Sequence, residues 1–172
     1  MNLSRPSRAA LAAALLLGSC RSPDPKALLE VTDVEAYWAV DSASGTTEYI
    51  APAVRFQVRN ASAEALRAVQ ATAVFRRKGE EGVTWGSDFR QVSARGDALD
   101  PGEAIILVLK SDARYYSTGP PETMFTHEQF KDATAEFFLR VGSSGWTAFG
   151  RTDVERRIGS RTVTDAIPPP AP

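Results

Sequence analysis

A two-layer, all-β antiparallel sandwich is the fold this sequence predicts, and three observations predict it. Several separate runs alternate apolar and polar residues with a period of two, the mark of strands with one buried face. Turn-forming clusters interrupt these runs at intervals of about 8–14 residues, the spacing of short sandwich strands. Helical periodicity is confined to one short stretch near Thr126. The runs amount to seven or eight strands.

The first strand is irregular. Leu29 and Val31 share one parity, whereas Val34, Ala36, Trp38 and Val40 fall on the other. A one-residue slip near Thr32-Asp33 reverses the buried face, so a β-bulge is expected there. Val54-Arg55-Phe56-Gln57-Val58-Arg59 then alternates without error and stops at Asn60-Ala61-Ser62. That tripeptide fits a glycosylation sequon, but at a strand end it reads as turn chemistry. Val69, Ala71, Ala73 and Phe75 repeat the pattern, with Gln70, Thr72 and Arg76 opposite, until Arg77-Lys78-Gly79 closes the strand. Val83 and Trp85 alternate beyond the turn at 79–82, which predicts a hairpin.

Asp100-Pro101-Gly102-Glu103 is a turn with a mechanism, since proline presets φ and glycine tolerates positive φ. It feeds residues 104–109, apolar on both faces and therefore expected to form a covered strand. Ala133, Ala135, Phe137, Leu139 and Val141 make another alternating set, ended by Gly142-Ser143-Ser144-Gly145. Trp146, Ala148 and Gly150 begin the return strand of a second hairpin. Between these strands, residues 111–132 exceed an ordinary sandwich loop. Here Thr126 and Gln129 are spaced as a capping box and Phe125 and Phe130 as a hydrophobic staple. A short helix over 126–132 is expected in this crossover.

Charge and length narrow the function classes. The chain has 172 residues, 20 basic against 21 acidic, with one histidine and one cysteine. That balance offers no basic stripe for nucleic acid and no polybasic cluster for anionic lipid. Arg5 and Arg8 precede an apolar stretch at 9–17, and no acidic residue occurs before Cys20. This is the layout of an export signal. The stretch is too short to span a bilayer, which takes about 20 apolar residues.

Leu17-Gly18-Ser19-Cys20 resembles the lipobox of bacterial lipoproteins. The resemblance implies cleavage after Ser19 and lipidation of Cys20, and so a membrane partner reached through an N-terminal lipid anchor. Two or more acyl chains hold a protein stably, whereas one does so reversibly. Arg21 follows the cysteine where the enteric inner-membrane retention signal has Asp, which favours an outer-membrane anchor facing the periplasm. Residues 1–19 are then the signal peptide, 20–27 a lipidated tether and 28–160 the sandwich. Residues 161–172, ending Pro168-Pro169-Pro170-Ala171-Pro172, read as a polyproline tail. Without its leader the chain keeps 153 residues, 18 of them basic against 21 acidic, a net charge of −3. A chain of this length suits one domain with a real core.

Residues 54–109 resemble the FxLYD-type immunoglobulin-like domains of bacterial envelope lipoproteins. The likeness lies in Val58-Arg59-Asn60-Ala61-Ser62, the strand from Val69 to Phe75, and Leu99-Asp100-Pro101-Gly102-Glu103 before an apolar strand. Phe75-Arg76-Arg77-Lys78 stands where the namesake Phe-x-Leu-Tyr-Asp run would be. The resemblance implies an immunoglobulin-like sandwich used as a non-catalytic module.

The usual parts of an active site are scarce. His127 is the one histidine, placed at the first position of the expected helix. A zinc site takes three or four ligands, and neither a Gly-x-Ser-x-Gly elbow nor a phosphate-binding glycine loop occurs. No catalytic residue, metal ligand or cofactor is assigned. The segment that reads as functional is the long crossover, which carries Tyr115, Tyr116, Met124 and Phe125, types enriched at binding hot spots. The expectation is a lipid-anchored adaptor for another envelope protein, docked at this loop or on a sheet edge. Alternatives are a structural subunit of an envelope assembly or export machine, and a carrier of a small apolar ligand.

Overall fold

The computed structural model describes residues 23–44, 47–93 and 97–159. The expected signal peptide 1–19, the expected lipidation site Cys20 and the expected tail 161–172 lie outside the described residues. Two sheets face each other. One contains β1 (Leu29–Ser44), β2 (Thr47–Asn60), β5 (Ala104–Lys110), β6 (Tyr115–Ser117) and β9 (Ile158–Gly159). Its order is β5-β2-β1-β9, with β6 paired to β2 beyond the end of β5. The other contains β3 (Val69–Arg77), β4 (Gly86–Gln91), β7 (Ala133–Val141) and β8 (Thr147–Asp153), in the order β4-β3-β7-β8. Pairing is antiparallel except where the short β9 joins β1. The fold is an all-β sandwich.

Alternation decides the core, as the period of two requires. Val54, Phe56 and Val58 from β2 are fully buried, as are Val69, Ala71, Ala73 and Phe75 from β3. Ala133, Ala135, Phe137 and Leu139 of β7 complete the facing layer. Phe56 and Phe137 stack across the two sheets with ring centres 4.6 Å apart and planes 21° from parallel. Such a pair contributes about 1 kcal/mol beyond the area it buries.

The expected bulge in β1 is present. Thr32 pairs with Gln57 and Glu35 with Arg55, so β1 carries one extra residue there. Asp33 absorbs it in the left-handed conformation, φ +53°, which aspartate tolerates better than most residues. Beyond the bulge Ala36 and Trp38 point inward. Val34 itself is 42% exposed, because it lies within the irregularity rather than after it.

A proline breaks the edge of the first sheet. Trp38 N–H donates to Arg157 O, so in the Trp38–Pro52 pair the proline nitrogen faces away from β1. Pro52 has no N–H to offer β5 or β6, and the strand pairing with β2 lapses there. Residues 111–114 leave the sheet at this point. Asp112 N–H donates to Ser87 O at 3.3 Å and Asp112 Oδ1 accepts from Ser87 N–H at 2.8 Å. Asp88 Oδ2 likewise accepts from Lys110 N–H at 3.0 Å. Strands β4 and β5 are thereby laced together along one side of the sandwich. The chain then rejoins β2 as β6.

Three expectations are corrected. Residues 104–109 form an edge strand, and Ile106 is 52% exposed on its outer side. The helix expected over 126–132 is absent, since residues 127–132 are not helical. A 3-10 turn at Pro121–Thr126 precedes them instead, since Pro121 suits the first turn of a helix and Phe130 is drawn into the core. Trp146 precedes the return strand, which begins at Thr147, and Trp146 and Ala148 face outward. An extra residue, Phe149, enters β8 between the partners of Phe137 and Phe138, and it is Phe149 that packs on the core. Pro25–Leu28 forms one helical turn, α1, capped by Asp24 with Pro25 buried.

Candidate functional site

The end of the sandwich that carries β6 holds the residues singled out in the crossover. Tyr115 pairs with Ile50 and Tyr116 with Tyr49. Adjacent strand residues point to opposite faces, so the two tyrosines separate. Tyr115 turns inward, its ring 5.7 Å from Trp38, 5.0 Å from Trp85 and 5.3 Å from Phe130. Its hydroxyl accepts from Lys131 N–H at 3.2 Å. Tyr116 is 66% exposed.

The aromatics form a plug around Trp38, which is fully buried. Phe125 lies 6.3 Å from the Trp38 ring and Phe130 lies 5.0 Å from it. Phe125 and Phe130 also meet each other at 5.4 Å. The staple contact therefore exists without the helix it was meant to cap. Thr126 Oγ1 donates back to Thr123 O, and His127 Nδ1 accepts from Gln129 N–H at 3.2 Å.

Arg156 clamps this end. Its Nε and Nη2 donate to the two carboxylate oxygens of Asp132 at 2.7 and 2.9 Å, and Nη1 donates to Phe125 O at 3.0 Å. The guanidinium also stands 5.4 Å from the Phe130 ring centre. These hydrogen bonds hold the Asp132 carboxyl below the usual carboxylate value and the Arg156 guanidinium above its own. A planar fork on a carboxylate fixes geometry as well as charge. The fork ties the crossover to the segment before β9.

A groove of about 410 Å³ opens beside the plug, lined by Arg77, Tyr115, Tyr116, Met124, His127 and Gln129. Three of the four expected contact residues line it. Phe125 does not, being committed to Trp38 and Phe130. Arg77 comes from the end of β3, paired with Glu80 at 2.6 Å and stacked 5.7 Å from Trp85. Glu80 also takes Lys131, and that hydrogen bond is the main reason its carboxyl lies below the ordinary value. Arg77 and Gln129 escaped sequence reading, because nothing in their spacing links them to Tyr116; the sandwich topology does. The groove presents an aromatic hydroxyl, a thioether, an imidazole, an amide and a guanidinium. His127 Nδ1 is already engaged by the backbone. Among the described residues, no three His, Cys, Asp or Glu side chains gather as metal ligands.

No family model matches the chain, and no curated protein matches it. A Northeast Structural Genomics Consortium target is similar over 74% of this chain and 86% of its own, at 10% identity and a TM-score of 0.40. A protein from Archaeoglobus fulgidus is similar over 72% of this chain and 95% of its own, at 14% identity and a TM-score of 0.41. A GH20 exo-β-N-acetylglucosaminidase from Vibrio harveyi aligns with 74% of this chain over 18% of its own length, with a TM-score of 0.22. None of these likenesses bears on function or on the groove.

Proposed function

We propose that this chain is a lipid-anchored protein of the bacterial cell envelope that binds another envelope protein and has no catalytic activity of its own. The observation that carries the binding role is the groove beside Tyr116. Its volume falls in the range of ligand sites, and an exposed aromatic projects from a frame fixed by the Arg156 clamp. Preorganised side chains lose little entropy on association. The lipobox at Leu17-Gly18-Ser19-Cys20 supports the anchor, and the likeness of residues 54–109 to FxLYD-type domains supports a non-catalytic module. Arg21 after the cysteine supports the outer membrane, with the sandwich in the periplasm.

Site-specific photo-crosslinking tests the binding role. A photoreactive residue replacing Tyr116 in the anchored protein should capture one envelope protein in intact cells. The same probe at Val83, exposed but absent from the groove lining, should not. Identical products at both positions, or none at 116, would contradict the proposal.

A further inference from the structure

The groove lies at one end of the sandwich and the chain enters at the other. Leu29 pairs with Asn60 at the entry end, whereas Tyr49 pairs with Tyr116 at the groove end. Eleven steps of β2 separate the two rows, about 35 Å at strand rise. At the entry end α1 packs against β7 and β8. Leu28 O accepts from Ala61 N–H there, and Lys26 Nζ stands 6.0 Å from the Phe149 ring centre. The turn that joins β7 to β8 is at this end, and Trp146 follows it.

Trp146 folds onto the solvent side of the β4-β3-β7-β8 sheet. The Arg140 guanidinium lies 4.6 Å from its ring centre, and Phe89 of β4 meets it edge-on at 6.3 Å. Arg140 hydrogen-bonds the Gln70 side chain, a neutral group, so its charge is not cancelled there. Trp146 remains 41% exposed and Phe89 51% exposed. Two large aromatics are thus held open to solvent, with the Arg140 guanidinium against one of them, on the half of the sandwich nearest the tether.

We propose that this face is a membrane-contact surface. Phe89 and Trp146 enter the headgroup region of the bilayer that holds Cys20, and Arg140 turns toward its phosphates. The proposal rests on the anchor reading. Only Arg21 and Ser22 separate Cys20 from Pro23, and the chain is buried by Pro25. Five extended residues reach at most about 18 Å, so an acylated Cys20 keeps the entry end against the lipid surface. Tryptophan favours that interface because its ring is apolar and its N–H polar. Basic residues near the surface add electrostatic attraction to anionic lipid. A lipid chain combined with a second membrane signal gives firmer and oriented attachment. The groove then lies at the end of the sandwich remote from the anchor.

Cys20 is the sole cysteine, so the chain beginning at residue 20 can be coupled by its thiol to a maleimide lipid in phosphatidylethanolamine–phosphatidylglycerol vesicles. Lipids brominated near the headgroup then quench nearby indoles. Quenching should fall about twofold or more in Trp146→Phe, the remaining indoles being the deeper Trp38 and Trp85. Arg140→Gln should shift quenching the same way. Equal quenching in wild type and Trp146→Phe overturns the contact. Because coupling supplies the lipid, that result leaves native acylation untouched. The native N-terminus is read separately by mass.

Discussion

Asn60 Nδ2 donates to Leu99 O at 2.8 Å, joining the turn after β2 to the turn before β5. The same nitrogen donates to Glu64 O at 2.8 Å, and Oδ1 accepts from the Ser62 backbone N–H and hydroxyl at 2.9 and 2.7 Å. The Asn60 backbone donates to Glu103 and accepts from Gly102. One fully buried side chain therefore satisfies two turns 39 residues apart. Asn60→Ala removes four hydrogen bonds made by a buried side chain and leaves the Ser62 amide without that acceptor, and should cost about 3 kcal/mol in urea unfolding. Asn60→Asp should cost at least as much, since a carboxylate oxygen would face those carbonyls. A change below about 0.5 kcal/mol for either would refute the role.

Neighbouring tyrosines should behave oppositely. Tyr115→Ala empties part of the aromatic plug and should destabilise by about 3 kcal/mol. Tyr116→Ala should leave stability within about 0.5 kcal/mol while reducing partner capture. Thermal melts of both, beside a capture assay, check the separation.

Acid sensitivity should run through the clamp. Arg156 lowers the Asp132 carboxyl in the folded state, so between the folded and unfolded values the unfolded chain binds more protons. Stability from this pair is therefore complete above the ordinary carboxylate value and is lost as pH falls through the lowered one. Urea midpoints taken from about pH 6 down to pH 2 should drop more steeply in wild type than in Arg156→Gln. Parallel curves would show that the clamp contributes nothing.

Gly150 has no room for a side chain. A Cβ there would sit 2.7 Å from the Phe137 ring, which is held in turn by its stack on Phe56. Gly150→Ala should cost about 2 kcal/mol. The double variant Gly150→Ala, Phe137→Leu should recover part of the overpacking, measured as a non-additive pair.

How far the sequence carries depends on whether one face of a strand is enough to place it. Val54–Val58, Val69–Phe75 and the bulge at Asp33 were legible because parity alone sets which side is buried. Residues 104–109 were not. Apolar residues on both faces do not distinguish a central strand from an edge laced by Asp88 and Asp112. Trp146 faces outward because Phe149 adds a residue downstream, a slip that alternation of Trp146, Ala148 and Gly150 conceals. The crossover showed its aromatics but not their sorting. The inward turn of Tyr115 follows from pairing with Ile50, and the turn before His127 is tied to Arg156, some thirty residues away. Arg77 joins the groove only through the fold.

The anchor is the premise on which location, orientation and partner class depend, and intact-mass analysis of the native protein tests it most directly. The account predicts a chain that begins at Cys20 and carries a diacylglyceryl group on its sulfur. A free thiol at Cys20, or a mature N-terminus at any other residue, would contradict it.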